Sequence, residues 1–398
     1  MPGDPERSGH PDRHEPLTDA LHEPGFWAGD PHPHLARLRA EAPVAWNDTL
    51  GYWALTRHAE CHEVSTDPDR FCSKQGILTL EIGIEYDSPP TMMHTDPPEH
   101  TAYRKQVQPA FKPSLMKALV PVAQGRLVDL TDGIRADEPV DFVKQVSVPF
   151  PLRIISDLLG LPEDDFDQFF YWSEVSTGAI EVSAEERTAY QADMRNYFLD
   201  VIARKRVSPE EDLISTLVAE DLSDDELHMF LNQLLVAGNE TTRNTISGGI
   251  WALATNPDQW QRLVEDRSLL PSAVEEILRW TTAVIAFMRT ATRDTTLGGV
   301  EIAQGEHALM IYASANRNEA QFGPTSDRFD IGRSPNHHLA FGFGAHFCIG
   351  AALARLEVQL VLEALLARFT RLEPAGEVVF SPSDIIAGVT SAPVRFAS

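Results

Sequence analysis

The chain has 398 residues, of which 43% are hydrophobic, enough to bury a large core and, by length alone, enough for more than one domain. With 59 acidic against 33 basic residues its formal net charge is −26, which excludes non-specific attraction to nucleic acid or to an anionic membrane surface. Cys61, Cys72 and Cys348 are too few and too scattered for a disulfide framework or a zinc finger, which fits a reducing cytoplasm.

Residues 1–20 are rich in Pro, Asp, Glu and Arg and lack the apolar core of a signal peptide. They read as a mobile tail, followed by one continuous domain over 21–398. The most apolar runs are broken by Arg153 and Glu363, so no membrane span is expected. Strand signals are brief. One covers 44–56, where Asn47, Asp48 and Gly51 separate two runs and residues 51–56 alternate; the other covers 296–311 and is also punctuated by glycine. Cys61 and Cys72 fall in an amphipathic stretch and its exit, as small buried hydrophobes. Helical periodicity dominates elsewhere, so the expected fold is mainly α with a minor β part.

Asp96-Pro97-Pro98 suits the start of a helix. Ser223 with Glu226, and Ser272 with Glu275, have capping-box spacing. The first pair opens a helical run to Asn256-Pro257, about 50 Å long at about 1.5 Å per residue, so its centre lies deep inside. That centre carries Ala237-Gly238-Asn239-Glu240-Thr241-Thr242. Glycine in mid-helix costs roughly 1 kcal/mol against alanine, and a buried carboxylate costs more, which points to function.

The strongest pattern is Phe341-Gly-Phe-Gly344-Ala-His346-Phe-Cys348-Ile-Gly350, directly before a helical run. A cysteine so placed meets unpaired N–H groups and the positive end of the helix dipole, which stabilise the thiolate that a metal requires. Glycines let N–H groups approach the sulfur, and Phe341 can shield a metal–sulfur bond from water. His32, His34, His337 and His338 form no convincing metal set.

This segment resembles the cysteine loop of the cytochrome P450 family, F-x-x-G-x-H/R-x-C-x-G, at every fixed position. The resemblance implies the P450 fold as a single haem-enclosing domain. It also implies haem b, iron protoporphyrin IX, ligated by Cys348 alone, with Phe341, Gly342, His346 and Gly350 around it. The central helix resembles the family's A/G-G-x-D/E-T. Gly238 would leave room for dioxygen, with Ala237 and Gly238 both among the cofactor-binding residues, Thr241 would hydrogen-bond it, and Glu240 would relay the protons that its reduction consumes. His100 and Arg104 resemble the family's H-T-x-x-R and, with Arg289 and His346, are implied as partners of the two haem propionates. Glu276 and Arg279 resemble its E-x-x-R, with Arg328 of Ser-Asp-Arg-Phe-Asp as the best match for the third member of a structural triad. Two departures stand out: Asn316-Arg-Asn-Glu319 replaces the usual N-R-D-P, and the helix acid is Glu where Asp is also common.

The implied activity is insertion of one oxygen atom from O₂ into a hydrophobic small molecule, terpenoid, steroid, fatty or polyketide-like. Its pocket would be built from 76–93, 166–180, 234–238, 284–287 and 385–388, lined by Leu78, Ile82, Met92, Met93, Leu234, Val284, Ile285, Phe287 and Ile386. No flavin or iron–sulfur domain is fused, so electrons from NAD(P)H are expected through a separate ferredoxin and ferredoxin reductase. Arg104, Lys105, Lys112, Lys117 and Arg355 offer a local basic patch for docking on an otherwise acidic, cytoplasmic monomer. Two rival classes are a peroxide-using or non-hydroxylating haem-thiolate enzyme, disfavoured by the intact Glu240–Thr241 pair, and a non-catalytic haem sensor, disfavoured by the lack of a signalling domain.

Overall fold

In the computed structural model, which describes residues 15–23, 25–84, 91–176, 180 and 182–398, the first strand signal resolves into β1 (Val44–Asn47) and β2 (Tyr52–Leu55). Asn47 Oδ1 accepts from the Leu50 N–H at 2.8 Å and Gly51 adopts φ 76°, so the turn sets Val44 opposite Leu55 and Trp46 opposite Trp53. β3 (Phe71–Cys72), β4 (Ala286–Ala291) and β5 (His307–Ile311) complete a mixed sheet in the order β1-β2-β5-β4-β3. The alternation along 51–56 does not mark a wet face, because all four residues of β2 are buried. Tyr52 and Ala54 join Leu35 and Leu38 on one side, while Trp53 and Leu55 join Cys61 and Val64 on the other. A central strand covered above and below has no polar face to show. The second signal gives a two-stranded hairpin, Thr295–Leu297 with Val300–Ile302, and then β5.

The expectation of a mobile tail over 1–20 fails for 15–20, and residues 1–14 lie outside the described ones. Glu15–Asp19 is helical, Thr18 Oγ1 donates to the Trp46 carbonyl at 3.1 Å, and Asn47 Nδ2 donates to the Thr18 carbonyl at 3.1 Å. Leu17 and Leu21 are buried against the sheet. Burial of such side chains, about 1.5–3 kcal/mol each, holds this polar-looking segment in place.

Helices form the main body and enclose the largest core, which runs from Met92 to Phe396. Those that position the site are α1 (Glu99–Val107), α2 (Pro149–Leu159), α3 (Phe166–Ser176), α4 (Asp224–Thr255), α5 (Leu270–Thr281) and α6 (Ala351–Leu366). The architecture is mainly α with a minor β part, as expected. The 32 residues of α4 extend about 48 Å at about 1.5 Å each, and α2, α3, α5 and α6 all pack against it. Its expected cap is present: Glu226 N–H donates to Ser223 Oγ at 3.2 Å and Ser223 N–H donates to Glu226 Oε2 at 2.8 Å.

The second expected capping box is not formed. Pro271 lets α5 begin at Leu270, so Ser272 falls inside the helix and its hydroxyl donates to the Leu269 carbonyl at 3.0 Å. Glu275 is taken by Arg355 instead, at 2.6 and 2.9 Å. A box that the reading missed caps the helix Ala184–Val207, between Ser183 and Glu186. No helix among the described residues is long and apolar enough to cross a membrane.

Candidate active site

Cys348 stands just before α6, and its N–H donates to the Phe341 carbonyl at 2.9 Å, closing the loop. Gly344 has φ 70°, and a Cβ there would collide with the Ser65 carbonyl oxygen, so glycine alone lets the loop lie against the helix His58–Thr66. Cys348 is walled in by protein yet keeps accessible surface, which places it on an internal cleft. Burial pushes its thiol pKa up, while the Gly350 N–H and the charges of Arg104 and Arg355 act the other way. The Phe341 ring lies under the Arg355 guanidinium at 4.6 Å and 6.2 Å from the Phe347 ring.

Four basic side chains gather beside this loop. The rings of His100, on α1, and His346 have centroids 4.1 Å apart, and His346 Nε2 lies 3.1 Å from Ser73 Oγ. Arg104 donates to the Ala345 carbonyl at 3.2 Å, and Arg289 of β4, itself buried, donates to the Met288 carbonyl at 2.7 Å. Burial first, then the charges of Arg289, His100 and Arg104, lower the His346 pKa to about 3. Burial and Arg104 likewise lower that of His100, and burial lowers that of Arg289. Asp96 spends its oxygens on the N–H groups of Ser73 and Lys74, at 2.7 and 3.2 Å. Among the described residues no carboxylate pairs with Arg104 or Arg289, and the buried Nε2 of His100 has no partner. Basic groups collected against their own repulsion fit the carboxylates of a ligand. With the Cys348 sulfur on the same loop as His346, these residues fit a haem and its two propionates.

On α4, Thr241 Oγ1 donates to the Ala237 carbonyl at 2.8 Å. Ala237 is exposed while Leu234, Leu235 and Asn239 around it are buried, so an interior opening meets the helix here. Gly238 faces α2 as well as this opening. A Cβ there would come 3.1 Å from Ile155 Cδ1, so this glycine serves the close packing of α4 on α2. Glu240 is pushed up to about 7, chiefly by burial, with Arg243 opposing and Glu174 adding to the rise.

Glu276 and Arg279 pair at 2.7 and 2.8 Å and are wholly buried. The third member is Arg333, whose Nε lies 3.1 Å from Glu276 Oε2, and not Arg328. Arg328 is exposed and contributes only its carbonyl, which accepts from Arg279 and Arg333. The basic patch also needs correction. Lys105, Lys112 and Lys117 are exposed, but Arg355 is held by Glu275 and Arg104 is turned toward Ala345.

Hydrogen bonds bring the expected lining segments together. Met288 N–H donates to the Ile77 carbonyl at 2.7 Å, Ile285 N–H to the Ile385 carbonyl at 2.9 Å, and Val284 bridges Ile386. Gln233 Nε2 donates to Thr91 Oγ1 at 3.2 Å, and Asn239 Nδ2 to Ser173 Oγ at 2.7 Å. Leu78, Ile82, Met93, Val284, Phe287 and Ile386 remain partly exposed there. Met92, Leu234 and Ile285 are instead buried in the core clusters. Residues 85–90 and 177–179 of these segments lie outside the described residues. A groove lined by Leu21, Trp27, Leu78 and Ile385 among others contains neither Cys348 nor the α4 motif, so the chemistry is not placed in it. Residues that the sequence reading missed are Ser73, Glu174, Arg243 and Arg333. Only Arg243 had a visible signal, its i+3 spacing from Glu240.

The family profile described as Cytochrome P450 matches residues 136–395. A steroid C26-monooxygenase of Mycolicibacterium smegmatis is 37% identical over 372 residues, covering 87% of this chain and 86% of that protein. A vitamin D(3) 25-hydroxylase of Pseudonocardia autotrophica is 39% identical over 390 residues, covering 93% and 94%. The crystal structure of the cytochrome P450 enzyme CYP109B1 from Bacillus subtilis matches with a TM-score of 0.85 at 35% identity, over 92% of this chain and 100% of that one. Similarity on this scale, in sequence and in fold, shows that the chain belongs to the cytochrome P450 family of haem-thiolate monooxygenases.

Proposed function

We propose that the protein hydroxylates an elongated, largely apolar molecule of steroid or related type, using O₂ and electrons drawn from NAD(P)H through a separate ferredoxin and ferredoxin reductase. Cys348 would hold the iron, and His100, Arg104, Arg289 and His346 the propionates. A haem bound there supplies the electron-rich centre at which dioxygen is reduced and its O–O bond cleaved.

The observation that carries the reading is the acid–alcohol pair of α4. Inserting one oxygen atom into a C–H bond consumes two electrons and two protons per O₂, and the second atom leaves as water. Thr241 keeps its proton on the Ala237 carbonyl, within a rotation of its hydroxyl. Glu240, raised to about 7, is partly protonated near neutrality and can both give and regain a proton. Peroxide brings its own two protons, so a peroxide-driven enzyme has no need of this pair. The substrate class rests on the apolar side chains at the junction of the lining segments and on the kinship with a steroid monooxygenase and a vitamin D(3) hydroxylase.

The test is a spectral titration with vitamin D3, cholesterol and dodecanoic acid, followed by turnover under ¹⁸O₂ with NADPH and surrogate redox partners. A spin-state shift with the polycyclic ligands and one ¹⁸O atom in the product are expected. Turnover with hydrogen peroxide alone would overturn the dioxygen reading, and tight binding of dodecanoic acid alone would overturn the substrate class.

A further inference from the structure

Two side chains of α3 reach into the motif at the centre of α4. Ser173 Oγ accepts from Asn239 Nδ2 at 2.7 Å, and Glu174 Oε1 accepts from Arg243 Nη1 at 2.5 Å. The other arm of the same guanidinium, Nη2, reaches Glu240 Oε1 at 3.3 Å. One cation is therefore shared between a carboxylate on α3 and a carboxylate on α4, and the α3 carboxylate has the closer contact. Ser173 and Asn239 are fully buried, and the three charged side chains are 10 to 17% exposed, so water screens their interaction little.

We infer that Glu174 sets the charge state of Glu240, by competing with it for Arg243, so that the position of α3 governs how readily the α4 acid keeps its proton. This rests on the reading of Glu240 as a proton relay. Glu174 and Arg243 are positioning residues, because neither has been placed against substrate or cofactor. The physical argument has two parts with one sign. A guanidinium drawn toward Glu174 is less available to stabilise the Glu240 carboxylate, and the negative charge of Glu174 itself opposes a second negative charge nearby. Of the charged groups on α4 and the elements packed around it, Arg243 and Glu174 are the two whose charges act on Glu240, on top of its burial. The raised Glu240 pKa is in keeping with this arrangement. α3 also belongs to the segments assigned to the substrate pocket, so a ligand that displaces it would redistribute Arg243 between the two acids.

The inference is tested on the resting ferric holoenzyme, without turnover. The Glu240 carboxyl stretch is followed by infrared difference spectroscopy against pH, and its assignment is fixed by its loss in Glu240→Gln. In Glu174→Gln the midpoint is expected to fall by about one pH unit, as Arg243 turns to its remaining partner. Glu174→Asp, which keeps the charge, is expected to restore it toward the wild-type value. If Glu174→Gln does not bind haem, Arg243→Gln is read in its place and must raise the midpoint. A midpoint unmoved in the variant that folds overturns the inference. Undiminished coupling of electrons to product in Glu240→Gln would defeat the relay role alone, without touching the midpoint shifts.

Discussion

Glu276 binds Arg333, 57 residues further along the chain, through Nε at 3.1 Å, while pairing with Arg279 of its own helix at 2.7 Å. Asn336 Nδ2 and the Asp330 N–H complete the shell of this buried carboxylate, at 3.1 and 2.8 Å. Replacing Glu276 by Ala strands two buried guanidinium groups and is expected to cost about 3–5 kcal/mol. Arg333→Ala should cost about 3 kcal/mol, and Arg328→Ala no more than about 0.5 kcal/mol, since that side chain is solvated. Urea unfolding of the three variants checks the order.

Cys348 is expected to be the sole protein ligand to iron. Cys61 and Cys72 are buried in the sheet region, and burial raises both of their pKa values. Cys348→Ala should abolish the red-shifted band of the reduced CO complex, and each of Cys61→Ala and Cys72→Ala should retain it.

Thr241→Ala removes a hydroxyl that donates to the Ala237 carbonyl one turn back. Haem content should stay the same while a larger share of the reducing equivalents ends as hydrogen peroxide. The ratio of peroxide formed to NADPH consumed measures this directly, with the best-binding ligand present.

Glu240 also leaves a mark on stability. Its pKa is raised from 4.5 to about 7 on folding, so the folded state holds this proton more tightly than the unfolded state does. Its contribution is complete below about pH 4.5 and drains away as pH rises to about 7, for a total of about 3 kcal/mol. Glu240→Gln lacks the titration. The variant should therefore gain about 2–3 kcal/mol on the wild type between pH 5 and pH 8, read as the difference between their urea unfolding free energies.

Lys105 and Lys112 are exposed, and Arg355 is not free to join them. Converting both lysines to Glu should slow ferredoxin-dependent reduction and flatten its dependence on ionic strength, with reduction by dithionite unchanged. Equal loss with dithionite would instead point to damage at the haem.

What the sequence revealed clearly was local. The capping pair Ser223 and Glu226 and the glycine-punctuated run ending at Cys348 declare themselves within ten residues, and the long helix and the loop followed from them. What stayed hidden depended on which side of a segment turns inward. Ser-Asp-Arg-Phe-Asp singles out Arg328 by its resemblance to the family's pattern, but the irregular chain there presents its carbonyl, and Arg333 supplies the guanidinium. Ser272 had the right neighbour in Glu275, yet a proline one residue earlier and an arginine 80 residues later claimed the geometry. Leu17 and Leu21 sit in a polar stretch, and only the assembled sheet supplies the surface that covers them.

The clash that reserves residue 344 for glycine has a mechanical meaning. The Cys348 loop is seated on the carbonyl of Ser65, at the end of a helix whose Cys61 and Val64 pack beneath β2. The small sheet is therefore the bench on which the sulfur is mounted. Distortions that begin among Trp53, Leu55 and Val64 reach the loop through that contact and through the neighbouring His62 and Phe343 rings, 4.2 Å apart, and the Soret spectrum becomes a distant gauge of the condition of the sheet.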